Sequence, residues 1–281
     1  MDERITNRCK SFHKEKVLII LSVVFILCLI TIPTQKAFAY NHLSAVLLMN
    51  ADTGEVLYEQ NGTAQMEIAS TTKILTAITV IENADLFQVA EIPQKAVGVE
   101  GSSIYLRKGE KWQILDLVYG LMLRSGNDAA VALAILTSSS ESAFCDLMNT
   151  IALKAGATNS RFVNPHGLHH PDHYSTALDL ARITRYALNC PIFQKICSTK
   201  THKAVKETAN GREKVIFYNK NKLLYAYPNA TGVKTGYTTK SGRCLVSAAE
   251  RDGLRLICVT LNVYDTYGVS KNLFERYFQE L

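Results

Sequence analysis

Three short groups of residues carry the chemistry legible in this chain: Ser70-Thr71-Thr72-Lys73, Ser125-Gly126-Asn127 and Lys234-Thr235-Gly236. A serine hydroxyl is a poor nucleophile until a base removes its proton. Three residues apart on a helix, Ser70 and Lys73 share a face and lie within reach of each other. Lys73 serves as that base only if burial or a second cation lowers its pKa, and Lys234 is the candidate cation. A serine at the start of a helix also has free backbone N–H groups and the positive dipole end beside it, a setting suited to an oxyanion. Ser125 can relay a proton to a leaving amine, and Asn127 offers an amide to a substrate amide. Gly236 leaves an edge strand open for an extended peptide. Together the residues describe acyl transfer through a covalent serine intermediate.

Two of the motifs recur elsewhere in the chain. Ser11-Phe12-His13-Lys14 also fits S-x-x-K, and Ser270-Lys271-Asn272 also fits S-x-N. What separates the candidates is the element that each must sit on. Apolar spacing over Ser70–Asn83 (Ile74, Leu75, Ile78, Ile81) predicts a helix that Ser70 opens. Trp112–Arg124, Asn127–Thr137, Ser140–Ala155 and Thr176–Leu188 also read as helices, which leaves Ser125 in a break between two of them. Thr176 and Asp179 resemble a capping box with Asp in place of Glu. Strands are expected at Ser44–Met49, Glu55–Glu59, Val215–Tyr218, Ala230–Gly236, Cys244–Glu250 and Leu254–Val263, so Lys234-Thr235-Gly236 closes a strand. A last helix over Tyr267–Leu281 has an apolar stripe and charges that sum to zero, which favours packing on the sheet over lying on a membrane.

The order strands, helices, strands, helix predicts an α/β (α+β) fold. Its one antiparallel sheet comes from both ends of the chain, is flanked by helices, and holds an all-helical insert at about residues 105–200. A ligand cleft is expected at the seam between sheet and insert.

The 281 residues are 47% hydrophobic and 20% charged, which excludes a disordered chain, a collagen-like chain and a small disulfide scaffold. The net charge of +6 is unevenly placed: residues 1–39 hold six Lys/Arg against three Asp/Glu, and the remainder holds 25 against 22. No basic run there is long enough for a nucleic-acid stripe, so no nucleic acid partner is expected. Residues 1–39 have a basic start, an apolar run from Val17 to Ile32 and Ala37-Phe38-Ala39, the layout of a signal peptide cut after Ala39. Left uncut, this segment would be the expected membrane tether. Of the cysteines, Cys145, Cys190, Cys197, Cys244 and Cys258 lie beyond the leader, an odd number in apolar settings. Buried free thiols are expected, with at most one bridge. A two-residue turn at Asp252-Gly253 would pair Cys258 with Ser247, on the face opposite Cys244.

His166, His169, His170, His173 and Asp172 resemble a zinc set by composition. Their spacing falls in a Pro/Gly loop rather than on a helix face, and no metal is expected.

The S-x-x-K, S-x-N and K-T-G groups in this order resemble those of the penicillin-binding proteins and class A β-lactamases. The chain resembles most the low-molecular-weight D-alanyl-D-alanine carboxypeptidases among them. Met49–Glu59, Ile68–Ala77, Arg124–Ala130, Asn164–Leu168, His173–Ala177 and Gly232–Tyr237 carry the resemblance, which covers residues 42–281. It implies a β-lactamase/transpeptidase-like fold in a secreted or extracytoplasmic enzyme without cofactor. Its partners would be peptidoglycan stem peptides ending in D-Ala-D-Ala, with β-lactams as covalent inhibitors. By the resemblance, Ser70 is the acylated nucleophile and Lys73 its base. Ser125 and Asn127 form the second element, and Lys234, Thr235 and Gly236 the third. The backbone N–H groups of Ser70 and Tyr237 would form the oxyanion hole, and Thr235 would hold the terminal carboxylate. Lys220 is the nearest equivalent of a carboxylate-binding arginine. Gly126 replaces the Asp of Ser-Asp-Asn, and no Glu-x-x-x-Asn lies between Asn127 and Lys234; both favour a carboxypeptidase over a β-lactamase. Residues 40–281 are expected to be one catalytic domain lacking the β-rich domain and amphipathic anchor of longer members. The alternatives are a β-lactamase, a D,D-endopeptidase or a sensor without turnover.

Overall fold

A computed structural model describes residues 43–280; the predicted leader, residues 1–39, lies outside them. Strands β1 (Ala45–Asn50) and β2 (Val56–Gln60) pair antiparallel around a turn in which Asn50 Oδ1 accepts the N–H groups of Asp52 and Thr53, at 2.9 and 3.1 Å. Helix α1 (Lys73–Asn83) follows a 3₁₀ turn at Ala69–Thr72. Its residues Lys73 to Val80 are all buried, as expected of a helix enclosed by the core rather than laid on it. Next come β3 (Val89–Glu91), β4 (Lys111–Gln113) and the helical insert. That insert comprises α2 (Ile114–Tyr119), a π-helical turn (Gly120–Arg124), α3 (Asn127–Ser138), α4 (Glu141–Lys154), α5 (Ala177–Leu188) and α6 (Pro191–Ser198). The chain closes with β5 (Thr201–Thr208), β6 (Gly211–Tyr218), a short α7 (Leu223–Ala226), β7 (Ala230–Thr238), β8 (Gly242–Arg251), β9 (Leu254–Leu261) and α8 (Thr266–Glu280).

Both ends of the chain build a five-stranded sheet of order β2-β1-β9-β8-β7, as expected. The expectation of a single sheet fails, because β3-β4-β5-β6 form a second, four-stranded one that takes in Val215–Tyr218. The cause lies in β5. Its inward positions include His202 and Lys206, so the strand carries no clean apolar alternation. His202 Nε2 lies 2.6 Å from Asp116 and its ring stacks on Tyr119, while Lys206 bonds Glu110 at 2.6 Å. The expected Trp112–Arg124 helix likewise divides into the end of β4, one α turn and the π turn.

One face of the five-stranded sheet meets α1, α5 and α6 in the main core; the other carries α8, where Phe274 is fully buried and Tyr277 Oη donates to Leu57 O at 2.8 Å. Ser247 faces Cys258 across β8–β9, and Cys244 and Cys258 lie in different apolar clusters, as the turn at Asp252-Gly253 requires. All five cysteines among the described residues are free thiols, with Cys190 only half-buried. Thr176 Oγ1 caps α5 by accepting the Asp179 N–H at 3.0 Å. The Asp179 carboxylate does not return to the cap; it takes Asn159 N–H and Ser160 Oγ–H, both at 2.7 Å. Its side chain is one methylene shorter than the usual Glu. Among the described residues no single helix is long and apolar enough to cross a membrane.

Candidate active site

Ser70 lies in the 3₁₀ turn and Lys73 is the first residue of α1, so the two side chains fall on one face. Lys73 is fully buried, with Nζ at 2.9 Å from Ser70 Oγ, 2.7 Å from Asn127 Oδ1 and 2.5 Å from the His166 carbonyl. Asn127 Nδ2 donates to Glu100 O at 2.6 Å, which fixes the amide so that its oxygen faces Lys73. Asn127 Oδ1 and His166 O can only accept. A neutral Lys73 therefore spends its two N–H bonds on them and turns its lone pair toward the Ser70 hydroxyl. Burial holds the Lys73 pKa well below its ordinary value, Lys234 and Lys220 push it further down, and Asp128 opposes them. The neutral base that the sequence argument requires is thus favoured by its surroundings.

The π turn ends at Ser125 in the left-handed region (φ 65°), and α3 begins two residues on. This break brings Ser125 Oγ to 3.1 Å from Lys234 Nζ, which also donates to Thr235 O at 2.9 Å. Burial and then Lys220 lower the Lys234 pKa to about 7. Lys220 itself is held down by burial and Arg124, and reaches Ser102 Oγ at 3.4 Å.

Strand β7 is a sheet edge, and its third motif runs against the Ser70 turn. A Cβ on Gly236 would sit 3.1 Å from Ser70 N and 3.2 Å from Ile68 O, so only glycine gives the strand this approach without a shift. Tyr237, which follows Gly236 on β7, is 67% exposed. Ser70, Lys73, Ser125, Asn127, Lys234 and Gly236 therefore converge on one cleft between β7, α1 and the start of α3, with Thr235 and Tyr237 next to them along β7.

Three supports escaped the sequence reading. Asp128, buried, accepts Ser103 Oγ–H at 2.6 Å and the N–H groups of Ile104 and Leu106 at 3.0 and 3.1 Å. It anchors residues 100–106, which supply Glu100 O to Asn127 and Ser102 O to the Asn127 N–H at 2.6 Å. The Asn164–Leu168 loop supplies the His166 carbonyl. Gly167 (φ +85°) lets that loop lie on the Ser70 turn, since a Cβ there would fall within 1.9 Å of Ala69 O. His173 is the third. Its Nδ1 accepts Val163 N–H at 3.2 Å, so Nε2 carries the proton and donates to Thr72 Oγ1 at 2.8 Å. Thr72 in turn donates to Ala69 O at 2.8 Å. Asp128 follows directly on the Ser-Gly-Asn group, the one signal that pointed to it.

The histidines of the Pro/Gly loop have separate partners. Beyond His173, His169 lies between Glu67 (2.8 Å) and Lys240 (2.6 Å), and His170 Nδ1 accepts Asp172 N–H at 3.1 Å. Burial lowers the pKa of His166 to about 3 and of His173 to about 4.

A family model described as D-alanyl-D-alanine carboxypeptidase, peptidase S11, matches residues 34–265. The D-alanyl-D-alanine carboxypeptidase DacF of Bacillus subtilis is 35% identical over 226 residues, covering 79% of this chain and 57% of its own length. DacC of Escherichia coli is 33% identical, covering 77% of this chain and 56% of its own. The D-alanyl-D-alanine carboxypeptidase of Streptomyces sp. strain K15 is 37% identical, covering 76% of this chain and 78% of its own. This chain thus spans little more than half of the first two relatives. Among solved structures, a serine-to-alanine mutant of the Streptomyces K15 DD-transpeptidase superposes with a TM-score of 0.79 at 32% identity, over 84% of this chain and 97% of that one. A D-alanyl-D-alanine carboxypeptidase from Mycobacterium tuberculosis gives 0.72 at 31%, over 77% of this chain and 81% of that one. A catalytic-type cleft, a shared fold and a match over most of the sequence agree: the chain belongs to the S11 peptidase family of D-alanyl-D-alanine carboxypeptidases.

Proposed function

We propose that this protein is a serine D-Ala-D-Ala carboxypeptidase that trims peptidoglycan stem peptides outside the cytoplasmic membrane. The observation that carries the reading is Lys73: buried, hydrogen-bonded to two pure acceptors, and with its remaining valence on Ser70 Oγ. Ser70 Oγ attacks the carbonyl carbon of the penultimate D-Ala as its proton passes to Lys73 Nζ. The resulting oxyanion lies between the N–H groups of Ser70 and Tyr237. The C–N bond then breaks, and the amine of the terminal D-Ala takes a proton from Ser125, replenished through Lys234. Thr235 and Lys234 hold the terminal carboxylate. Water then attacks the acyl carbon and passes a proton toward Lys234, which had given one up. Ser70 Oγ leaves with the proton held on Lys73, and the hydroxyl is regenerated. A β-lactam enters the same path, but its leaving amine stays attached and the adduct persists.

Likeness to a structure named as a DD-transpeptidase supports a second acceptor, a peptide amine in place of water, at the same acyl-enzyme. Labelling with a fluorescent penicillin tests the common step. The wild type should form a covalent adduct that Ser70→Ala lacks, and an unlabelled wild type overturns the proposal. Product analysis with a D-Ala-D-Ala peptide then separates hydrolysis from transfer. Rapid turnover of penicillin would favour a β-lactamase instead.

A further inference from the structure

The four-stranded sheet has one covered face and one open face, and the two treat their cations differently. On the covered face Lys206 bonds Glu110 at 2.6 Å and lies 3.4 Å from Glu213. On the open face, cross-strand neighbours of β5 and β6 are Thr201/Tyr218, Lys203/Ile216, Val205/Lys214 and Glu207/Arg212. The last pair extends a row that runs Glu91, Lys111, Glu207, Arg212 across all four strands, alternating in sign. Beyond that row the balance ends. Lys203 and Lys214 have no carboxylate within ion-pair distance among the described residues.

Interleaved with them are apolar groups left open: Val205 43%, Ile216 47% and Tyr218 57% exposed. Tyr225, 55% exposed, lies beside Lys200 at the start of β5. Its hydroxyl donates to Lys200 O at 3.0 Å, and Lys200 Nζ lies 5.6 Å from its ring. The stretch 200–222 carries Lys200, Lys203, Lys206, Arg212, Lys214, Lys220 and Lys222 against Glu207 and Glu213. That exceeds the whole positive excess of residues 40–281, which hold 25 Lys/Arg against 22 Asp/Glu. Of the cations in that stretch, Lys203, Arg212 and Lys214 stand on the open face of the hairpin against Glu207, an excess of +2 that strand alternation assembles from every second residue.

We infer that the open face of the β5–β6 hairpin docks on a membrane surface rich in anionic lipid. Uncompensated cations suit any polyanion. The three half-exposed apolar side chains between them gain only where acyl chains lie beneath the phosphates, and tyrosine suits that boundary. The patch is two strands wide, with these groups on one face of the hairpin. Tyr218 leads directly into Lys220, whose N–H donates to Leu123 O at 3.0 Å in the cleft wall. Docking would therefore hold the cleft within roughly 27 Å, the length of an eight-residue strand, of the bilayer.

The test uses the chain from Tyr40 to Leu281, because the apolar and basic leader would bind vesicles by itself. Both apolar clusters are built from residues between Ala45 and Phe278, so this piece retains its entire core. Sedimentation with vesicles of mixed phosphatidylglycerol and phosphatidylcholine should capture the protein, and phosphatidylcholine alone should not. The Lys203→Gln/Lys214→Gln pair should weaken capture about 25-fold, at about fivefold per lysine. Val205→Ser/Ile216→Ser should weaken it about tenfold. Both pairs should keep the wild-type thermal midpoint. If a pair lowers that midpoint, Lys203→Arg/Lys214→Arg, which keeps the charge, must bind like wild type and Lys214→Gln alone must lose about fivefold. Equal capture by neutral vesicles overturns the inference, as does a lysine pair without effect. Undiminished binding by the serine pair would show a plain polyanion site and overturn it too.

Discussion

Lysine is put to opposite uses in two neighbouring regions. In the cleft, Lys73 and Lys234 are buried; Lys234 and Lys220 lower the readiness of Lys73 to carry charge, and Lys220 does the same to Lys234. On the hairpin, Lys203 and Lys214 stand in water and repel little, because solvent screens them. The same side chain is thus a more acidic ammonium and a potential neutral base in the cleft, and a solvated surface group on the hairpin. Desolvation makes the difference: charge is costly in the cleft and stable on the hairpin.

The largest test of that contrast is Lys73→Met. Acylation by penicillin should slow by about 10²–10⁴-fold, the usual range for loss of a general base, while Lys203→Met leaves the rate unchanged. Equal effects at the two sites would erase the distinction.

Asp128→Asn comes next. The buried carboxylate accepts several donors, and an amide would set its own N–H against some of them. Thermal or urea unfolding should show a loss of about 2 kcal/mol. Glu207→Gln, whose partner Arg212 is exposed, should lose less than about 1 kcal/mol.

A third test follows stability against pH. Lys234 binds its proton with a pKa near 7 in the folded protein and about 10.4 when unfolded. Between those values the unfolded chain holds more protons, so stability rises with pH, on the order of 1 kcal/mol per unit. From pH 7 to 8.5 the wild type should gain stability on Lys234→Met. The window stops there because the Cys145, Cys197, Cys244 and Cys258 thiols, raised to about 11 or 12 by burial, act in the reverse sense. His166 and His173, lowered to about 3 and 4, add a separate rise in stability from that range up to about pH 6.5.

The smallest expected effect is at Lys220. Lys220→Met removes a repelling cation, so the rise of acylation rate with pH should move to higher pH. An unmoved profile would mean that burial and Lys234 set the Lys73 base without Lys220.

How much of this was legible depended on whether the signal was local. Ser70 and Lys73 are three residues apart on one helix, and the turn at Asp252-Gly253 dictated the Ser247–Cys258 pairing by alternation alone. β5 was hidden because its inward His202 and Lys206 take partners from distant Asp116 and Glu110, which no periodicity records. The π turn was hidden too, since its apolar spacing continues that of a helix.

Sequence by itself determined the candidate reacting groups, the order of the elements that carry them, and the family to which the chain belongs. Each of those follows from residue type and short spacing. Only the tertiary structure decided that Asn127 and the His166 carbonyl take both N–H bonds of a neutral Lys73, that Asp128 anchors the cleft wall, and that cations gather on one hairpin face. These depend on which residues far apart in the chain exclude water from one another. Burial sets the pKa values, and burial is a property of the packed molecule rather than of any segment.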